Sequence, residues 1–474
     1  MIMSFENSKL EEFNNYLDGR RVAIIGLGVS NIPLIEYMHE VGAETVVFDQ
    51  REIDKIDSEI MNKVICYEME YSLGENYLSK LVDFDIIFRS PSCLPTNPAL
   101  QLEASRGAIV TTEIEMFMEL CPGTIIGVTG SDGKTTTTSL IYEILKAGGY
   151  NTYLGGNIGT PLFTKVGEMK PEDMVVLELS SFQLMNMKIS PKVAVVTNIT
   201  PNHLNVHEDM DEYIEAKKCI LANQTENDTV ILNYDNNITK DFAKDAKGKV
   251  IFFSNVAKIS DGYMVDSRSI KLCKGDFRTH ILETKNMKIK GLHNYMNAAC
   301  AIAATRDYVD LETAVKTICE FKGVEHRIEL VKQTKDRIRW YNDSASSSPT
   351  RTIVGLNSFP TRNVILIAGG YDKNLDYKPL AKPIVNSCKS LILIGQTANK
   401  IKKAVEDEQI LKAGIKNLGI YKCETLEDAV KLANNIAVKG DIVLFSPASA
   451  SFDMFKNFDE RGKTFKSLVE KYVP

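Results

Sequence analysis

Residues 129–135 read Thr-Gly-Ser-Asp-Gly-Lys-Thr, directly after the apolar run 124–128. No other stretch restricts the fold as strongly. A buried strand ending in a glycine loop turns successive backbone N–H groups toward one point. A Lys-Thr pair opening a helix then adds a cation and a hydroxyl there. Nucleotide phosphates suit such a loop, with Lys134 on the terminal phosphates and Thr135 on Mg²⁺. The strict eight-residue pattern has glycine where this chain has Val128. The order of strand, loop and predicted helix (136–145) is correct, so an ordinary glycine turn is the weaker reading.

Short Val/Ile-rich runs recur at 22–25, 45–48, 175–179, 193–197, 364–368, 391–394 and 442–445, with helical stretches between them. Such runs predict parallel strands of α/β sheets. A chain of 474 residues suggests about three domains, and the motifs divide it into blocks 1–112, 113–323 and 324–474. Segment 223–228 reads as a loop, and 235–263 as mixed strands and loops. With 44% hydrophobic and 25% charged residues, each block can build a core, which excludes a disordered chain or a small disulfide scaffold. A net charge of -6 argues against a nucleic-acid partner but leaves room for a local cationic pocket. None of the nine cysteines forms a Cys-x-x-Cys pair, and free thiols fit a reducing cytoplasm. The acidic start is no signal peptide, and no apolar run approaches the roughly 20 residues of a membrane span.

Four further groups of residues carry chemistry. Glu178 ends the run 175–179, where a carboxylate beside a phosphate loop can hold Mg²⁺. His203 and His207 share the segment 202–207, and Lys217 follows on a predicted helix, 208–221. On spacing alone, exposed loop histidines and a solvated lysine explain that segment better than a metal site. Gly26, Gly28 and Asn31 follow the first strand, and Asp49 ends the second. They form an incomplete dinucleotide fingerprint that would suit a diphosphate or serve as a plain turn. Segments 341–344, 369–373 and 446–451 follow apolar strands of the third block. Their Ser, Asp, Gly and Lys residues suit an anionic substrate as well as turns and caps.

Taken together the chain resembles the Mur ligases. The resemblance is carried by 129–135, Gly-Gly-Asn-Ile-Gly at 155–159, Leu-Glu-Leu-Ser-Ser-Phe-Gln-Leu at 177–184 and Gly-Leu-His-Asn-Tyr-Met-Asn at 291–297. His326-Arg327 and Phe-Lys-Asn-Phe-Asp-Glu-Arg-Gly at 455–462 complete it. It implies an α/β protein with a Rossmann-like UDP-binding domain, a central P-loop ATPase and a C-terminal Rossmann-like domain. The branch most resembled adds D-glutamate to UDP-N-acetylmuramoyl-L-alanine through an acyl phosphate, using ATP and two Mg²⁺ ions. The implied enzyme is a cytoplasmic monomer.

Carried residue by residue, the resemblance makes Lys134, Glu178, His203 and Lys217 catalytic. It puts Thr135, Glu178, His203 and carbamylated Lys217 on metal. Gly130, Ser131, Asp132, Gly133, Lys134, Thr135, Thr136, Asn294, Asn297, Arg327 and Asp343 would bind ATP. Gly28, Val29, Ser30, Asp49, Gln50, Asn157 and Ser180 would bind the UDP substrate. Ser347, Lys373, Ser451 and Phe458 would bind D-glutamate. Many relatives carry lysine where this chain has Ala345, and threonine where it has Ser347.

Overall fold

The computed structural model describes residues 6–201, 207–359, 362–373, 375–411 and 418–474. Three sheets organise the chain, each built from the short apolar runs. The first contains β1 (Arg21–Ile25), β2 (Glu44–Asp49), β3 (Glu70–Leu73), β4 (Ile86–Arg89) and β5 (Ile109–Thr111), in the order β3-β2-β1-β4-β5. All its pairings are parallel. β1 and β4 are apolar and almost entirely buried because both sheet faces are covered.

The second sheet has nine strands: β6 (Thr124–Thr129), β7 (Thr152–Gly156), β8 (Met174–Glu178), β9 (Val193–Val196), β10 (Thr229–Asn233), β11 (Lys249–Ser254), β12 (Asp261–Val265), β13 (Ser269–Lys274) and β14 (Phe277–Glu283). Their order is β14-β13-β12-β11-β10-β9-β6-β8-β7. The register places Val128 of β6 beside Glu178 of β8, and Thr129 beside Val196 of β9. The carboxyl ends of these three strands therefore open at one place.

The apolar runs of this block pair in parallel as expected, and parallel pairing continues to β12, beyond which β12, β13 and β14 pair antiparallel. Segment 235–263 contains a short helix, Asn237–Asp241, besides β11 and part of β12. The predicted helices are found at Lys134–Ala147 and Met210–Ala222.

The first two sheets belong to one compact unit, residues 1–287 with 292–320. Phe163, fully buried, contributes to the packing between them, with ring contacts to Tyr37 at 4.9 Å, Phe88 at 6.0 Å and Phe13 at 6.4 Å. Its backbone N–H donates to Glu113, whose carboxyl burial pushes up to about 7. Arg89, buried at the end of β4, donates to the Met185 carbonyl at 3.0 Å.

The second unit, 288–291 with 321–474, holds the third sheet. Its strands are β15 (Glu329–Gln333), β16 (Arg339–Asn342), β17 (Val364–Gly369), β18 (Cys388–Ile394), β19 (Gly419–Lys422) and β20 (Ile442–Phe445), in the order β15-β16-β20-β17-β18-β19. Only the edge strand β15 runs antiparallel to its neighbour. Among the described residues, no helix is long and apolar enough to cross a membrane.

Candidate active site

The loop after β6 is fixed by its neighbours before any ligand enters. Gly130 adopts φ +142°, and a Cβ there would lie 2.0 Å from Thr197 Oγ1. Thr197 follows β9 and donates to the Asp132 carbonyl at 2.6 Å, while Asn198 Oδ1 accepts from Asp132 N–H at 2.9 Å. Ser131 Oγ accepts from Thr200 N–H at 2.9 Å and lies 3.0 Å from Tyr213 Oη. Gly133, at φ +81°, starts the helix of Lys134, and Asn297 Oδ1 would lie 2.5 Å from a Cβ there. Asn297 thus packs over the loop, with Asn294 Oδ1 3.5 Å from its amide nitrogen.

Two lysines converge on one oxygen of this loop. Lys134 Nζ donates to Gly130 O at 2.8 Å and Ser131 O at 3.1 Å. Lys217 Nζ donates to the same Gly130 carbonyl at 3.0 Å and to Thr129 Oγ1 at 3.3 Å. Lys217 is 2% exposed, which overturns the solvated-lysine reading. Burial drives its pKa well below the usual lysine value, and the Lys134 charge adds to the effect against Glu178 and Asp132. Its ammonium position lies 4.8 Å from the Tyr213 ring centroid. A buried amine held beside a second cation favours its neutral form.

Glu178 closes this group at the end of β8. Gly156, at φ +89°, has no room for a side chain, since a Cβ would lie 2.2 Å from the Glu178 carbonyl. That close approach lets Asn157 N–H donate to the carbonyl at 2.7 Å and its amide donate to Glu178 Oε1 at 2.8 Å. Glu178 Oε2 is buried with no hydrogen-bond partner among the described residues. An unpaired buried carboxylate oxygen is costly, and a cation is the group that would satisfy it. The donor chemistry of Thr135 and Glu178 beside a neutral amine fits Mg²⁺. Ser180 caps the helix Ser181–Leu184 through a reciprocal bond pair with Gln183. His203 lies outside the described residues. Its companion His207 is buried between Ser181 and Glu212, an arrangement the sequence did not reveal.

The turn after β1 is arranged differently. Nothing lies within 4 Å of a Cβ at Gly28, and Val29 is exposed, so ligand access is open there. Asp49, however, is already engaged. Its carboxylate accepts from Leu27 N–H at 2.8 Å and from the Arg51 guanidinium at 2.8 and 2.9 Å. Burial pushes the Asp49 carboxyl up, but the Arg51 and Leu27 bonds prevail and hold it below the usual carboxylate range. Arg51, two positions after Asp49, was the cationic partner to look for in the sequence. Asn31, in the place of a third glycine, donates to the Ile25 carbonyl at 2.9 Å. Gln50 and Ser30 stand at the same strand and turn ends.

In the second unit, buried Arg461 ties two loops together. It donates to Ser344 Oγ and O at 3.1 and 2.8 Å, and to Ser449 O and Ala450 O at 3.0 and 2.9 Å. Asp343 accepts from Ser446 Oγ at 2.6 Å, and burial pushes its carboxyl up to about 6 against the nearby Arg327 charge. Ser347 follows on the same loop, where the Arg351 guanidinium donates to the Ala345 carbonyl at 3.3 Å. Lys373 Nζ lies 5.3 Å from the Phe452 ring centroid, Ser451 is buried, and Phe458 is 49% exposed. Glu325, His326 and Glu329 place possible metal-ligating atoms within 4.8 Å of one another. The Lys466 ammonium, 2.8 and 2.7 Å from the two glutamates, already supplies the positive charge there.

Sequence comparison agrees with this architecture. Residues 20–112 match the Mur ligase MurD-like N-terminal domain, 128–305 the Mur ligase middle domain, and 326–449 the Mur ligase glutamate ligase domain. The UDP-N-acetylmuramoylalanine–D-glutamate ligase of Acetivibrio thermocellus is 48% identical, over 98% of this chain and 99% of its own. The chain belongs to the Mur ligase family. The ligase of the same name from Ruminiclostridium cellulolyticum is 46% identical over the same shares. In fold, the Thermotoga maritima UDP-N-acetylmuramate–alanine ligase aligns with a TM-score of 0.58 at 19% identity, covering 96% of this chain and 99% of its own. The family's reaction class, ATP-dependent amide-bond formation in peptidoglycan synthesis, is this Mur ligase's own.

Proposed function

We propose that this Mur ligase joins D-glutamate to UDP-N-acetylmuramoyl-L-alanine, in the cytoplasm and as a monomer. The reading takes the chain to comprise a UDP-substrate domain, 1–112, an ATP-binding domain, 113–323, and an amino-acid-binding domain, 324–474. The observation that carries the site assignment is the convergence of Lys134 and Lys217 on Gly130 O, beside a Glu178 oxygen without a partner among the described residues. The loop N–H groups and Lys134 would hold the ATP phosphates, with Thr136, Asn294 and Asn297 on the nucleotide. Neutral Lys217 is the form that adds CO₂, releasing a proton and becoming an anionic carbamate. Thr135, Glu178, His203 and that carbamate would hold two Mg²⁺ ions, which supply charge neutralisation to the phosphates when bound.

The substrate carboxylate attacks the γ-phosphorus, ADP leaves, and an acyl phosphate forms. The D-glutamate amine attacks that carbonyl, and the tetrahedral intermediate expels phosphate. Lys134 stabilises the charge that develops on the transferred group. The turn 28–30, with Asp49, Gln50, Asn157 and Ser180, would hold the UDP substrate. Arg327 and Asp343 would complete the nucleotide site. Ser347, Lys373, Ser451 and Phe458 would hold D-glutamate, with the Lys373 cation suited to a carboxylate.

Phosphate release is measured with ATP, Mg²⁺, the UDP substrate and D-glutamate, omitting each in turn. The expected result is release that needs all four, with a product heavier by one glutamyl residue. Release supported by a different amino acid would reassign the substrate to the altered loop around Ala345.

A further inference from the structure

His207, which directly follows residues 202–206, is 3% exposed. Its Nε2 lies 2.9 Å from Ser181 Oγ and its Nδ1 2.9 Å from Glu212 Oε2. The ring stacks on Phe182 at 4.9 Å and 7°, and meets the edge of Tyr213 at 5.2 Å. One ring nitrogen thus faces a carboxylate, and the other a hydroxyl that can donate or accept. Glu212 Oε2 accepts Glu208 N–H as well, at 2.9 Å.

The three residues join two elements that matter. Ser181 opens the helix directly after β8, three positions past Glu178. Glu212 lies in the first turn of helix Met210–Ala222, which carries Lys217. Between them Tyr213 reaches the phosphate loop at Ser131 and lies under the Lys217 amine. A Ser-His-Glu order also suits a nucleophile, but Ser181 is 2% exposed, so an acyl substrate has no approach to it.

We propose that His207 is a positioning residue: through Ser181 and Glu212 it fixes the helix of Lys217 against the strand end of Glu178, so that both side chains meet one divalent cation. The inference rests on the metal-holding roles proposed above for those two residues. Outer-shell partners of this kind typically change metal affinity or activity about 10- to 100-fold when removed.

The test compares wild type with H207F, which keeps a ring to stack on Phe182 but loses both nitrogens. Three quantities are read: the melting temperature, Mn²⁺ affinity in the presence of ADP by electron paramagnetic resonance, and kcat with each KM. The expected result is a folded variant with Mn²⁺ affinity and kcat both about 10-fold or more below wild type. KM for D-glutamate should stay within about twofold, since the residues that would hold it belong to the second unit. E212Q should lower Mn²⁺ affinity in the same way and add little to H207F, because the two act as one unit.

Wild-type Mn²⁺ affinity in folded H207F would overturn the proposal, whatever kcat does. If H207F does not fold, S181A and E212Q decide by the same metal titration. A wild-type protein that binds Mn²⁺ and ADP but shows no D-glutamate-dependent turnover would overturn the proposed reaction instead, leaving the metal readout to judge His207 separately.

Discussion

Strands β1 and β6 both end in glycine turns that lead into helices, yet the acidic residues beside them are in opposite states. Asp49, next to the first turn, has its oxygens taken by Leu27 N–H and Arg51. Glu178, next to the second, has Asn157 on one oxygen and, among the described residues, no partner on the other. The cations differ too. Arg51 pairs with its acid, whereas Lys134 and Lys217 bind loop carbonyls. A neutralised acid organises a turn for a ligand that brings its own hydrogen bonds. An unsatisfied acid beside a phosphate loop is poised for a cation. The same backbone plan therefore carries a neutralised acid in one sheet and, among the described residues, a half-satisfied one beside the glycine loop in the other.

Changes at the second turn should break this contrast most severely. Lys217→Ala should lower kcat by about 10²–10³-fold or more, with partial rescue by short carboxylic acids that replace the oxygens of the proposed carbamate. Steady-state phosphate release with and without acetate checks this, and unchanged turnover would remove Lys217 from the mechanism. Glu178→Gln keeps the Asn157 neighbour but removes the charge. It should cost about 100-fold in kcat and raise the Mg²⁺ concentration needed for half activity. A Mg²⁺ titration at fixed ATP reads that shift.

Changes at the first turn should be milder and confined to binding. Asp49→Asn should raise KM for the UDP substrate about tenfold, equal to about 1.4 kcal/mol, while KM for ATP stays put. The pH dependence of stability sharpens the same point. The folded pKa of Asp49 lies below its unfolded value, so its contribution is present above the unfolded pKa and is lost as pH falls through the folded one. Wild type should therefore lose melting temperature below about pH 4 more steeply than Asp49→Asn. Equal slopes would show that the Arg51 pair contributes nothing.

The smallest effect is expected from Asn31→Gly, which restores the third glycine of the dinucleotide fingerprint. It removes the bond to the Ile25 carbonyl and should cost about 1 kcal/mol, seen as a slightly lower melting temperature. Titration with NAD should show no binding in either protein. Binding would make the fingerprint of the first sheet a dinucleotide site.

The sequence alone determined the strands of the apolar runs, both glycine turns, the helix of Lys134 and the family. Those features depend on contiguous residues: apolar runs long enough for buried strands, glycines where the backbone needs positive φ, and a Lys-Thr pair at a helix start. The hairpin of β13 and β14 was not legible, because most of β14 is exposed and carries no alternation to read. The contrast between the two acids was also out of reach. Both end apolar strands with an Asp or Glu, and only the fold shows which one gains an arginine and which keeps an unpaired oxygen. Lys217 read as solvated because its burial depends on helix 210–222 packing against a loop more than eighty residues earlier in the chain, within reach of Gly130. Parallel register between β6, β8 and β9 brings these distant residues together. Local sequence fixes backbone conformation, but charge, burial and hydrogen-bond satisfaction at a site are set by groups that meet only after the chain has folded.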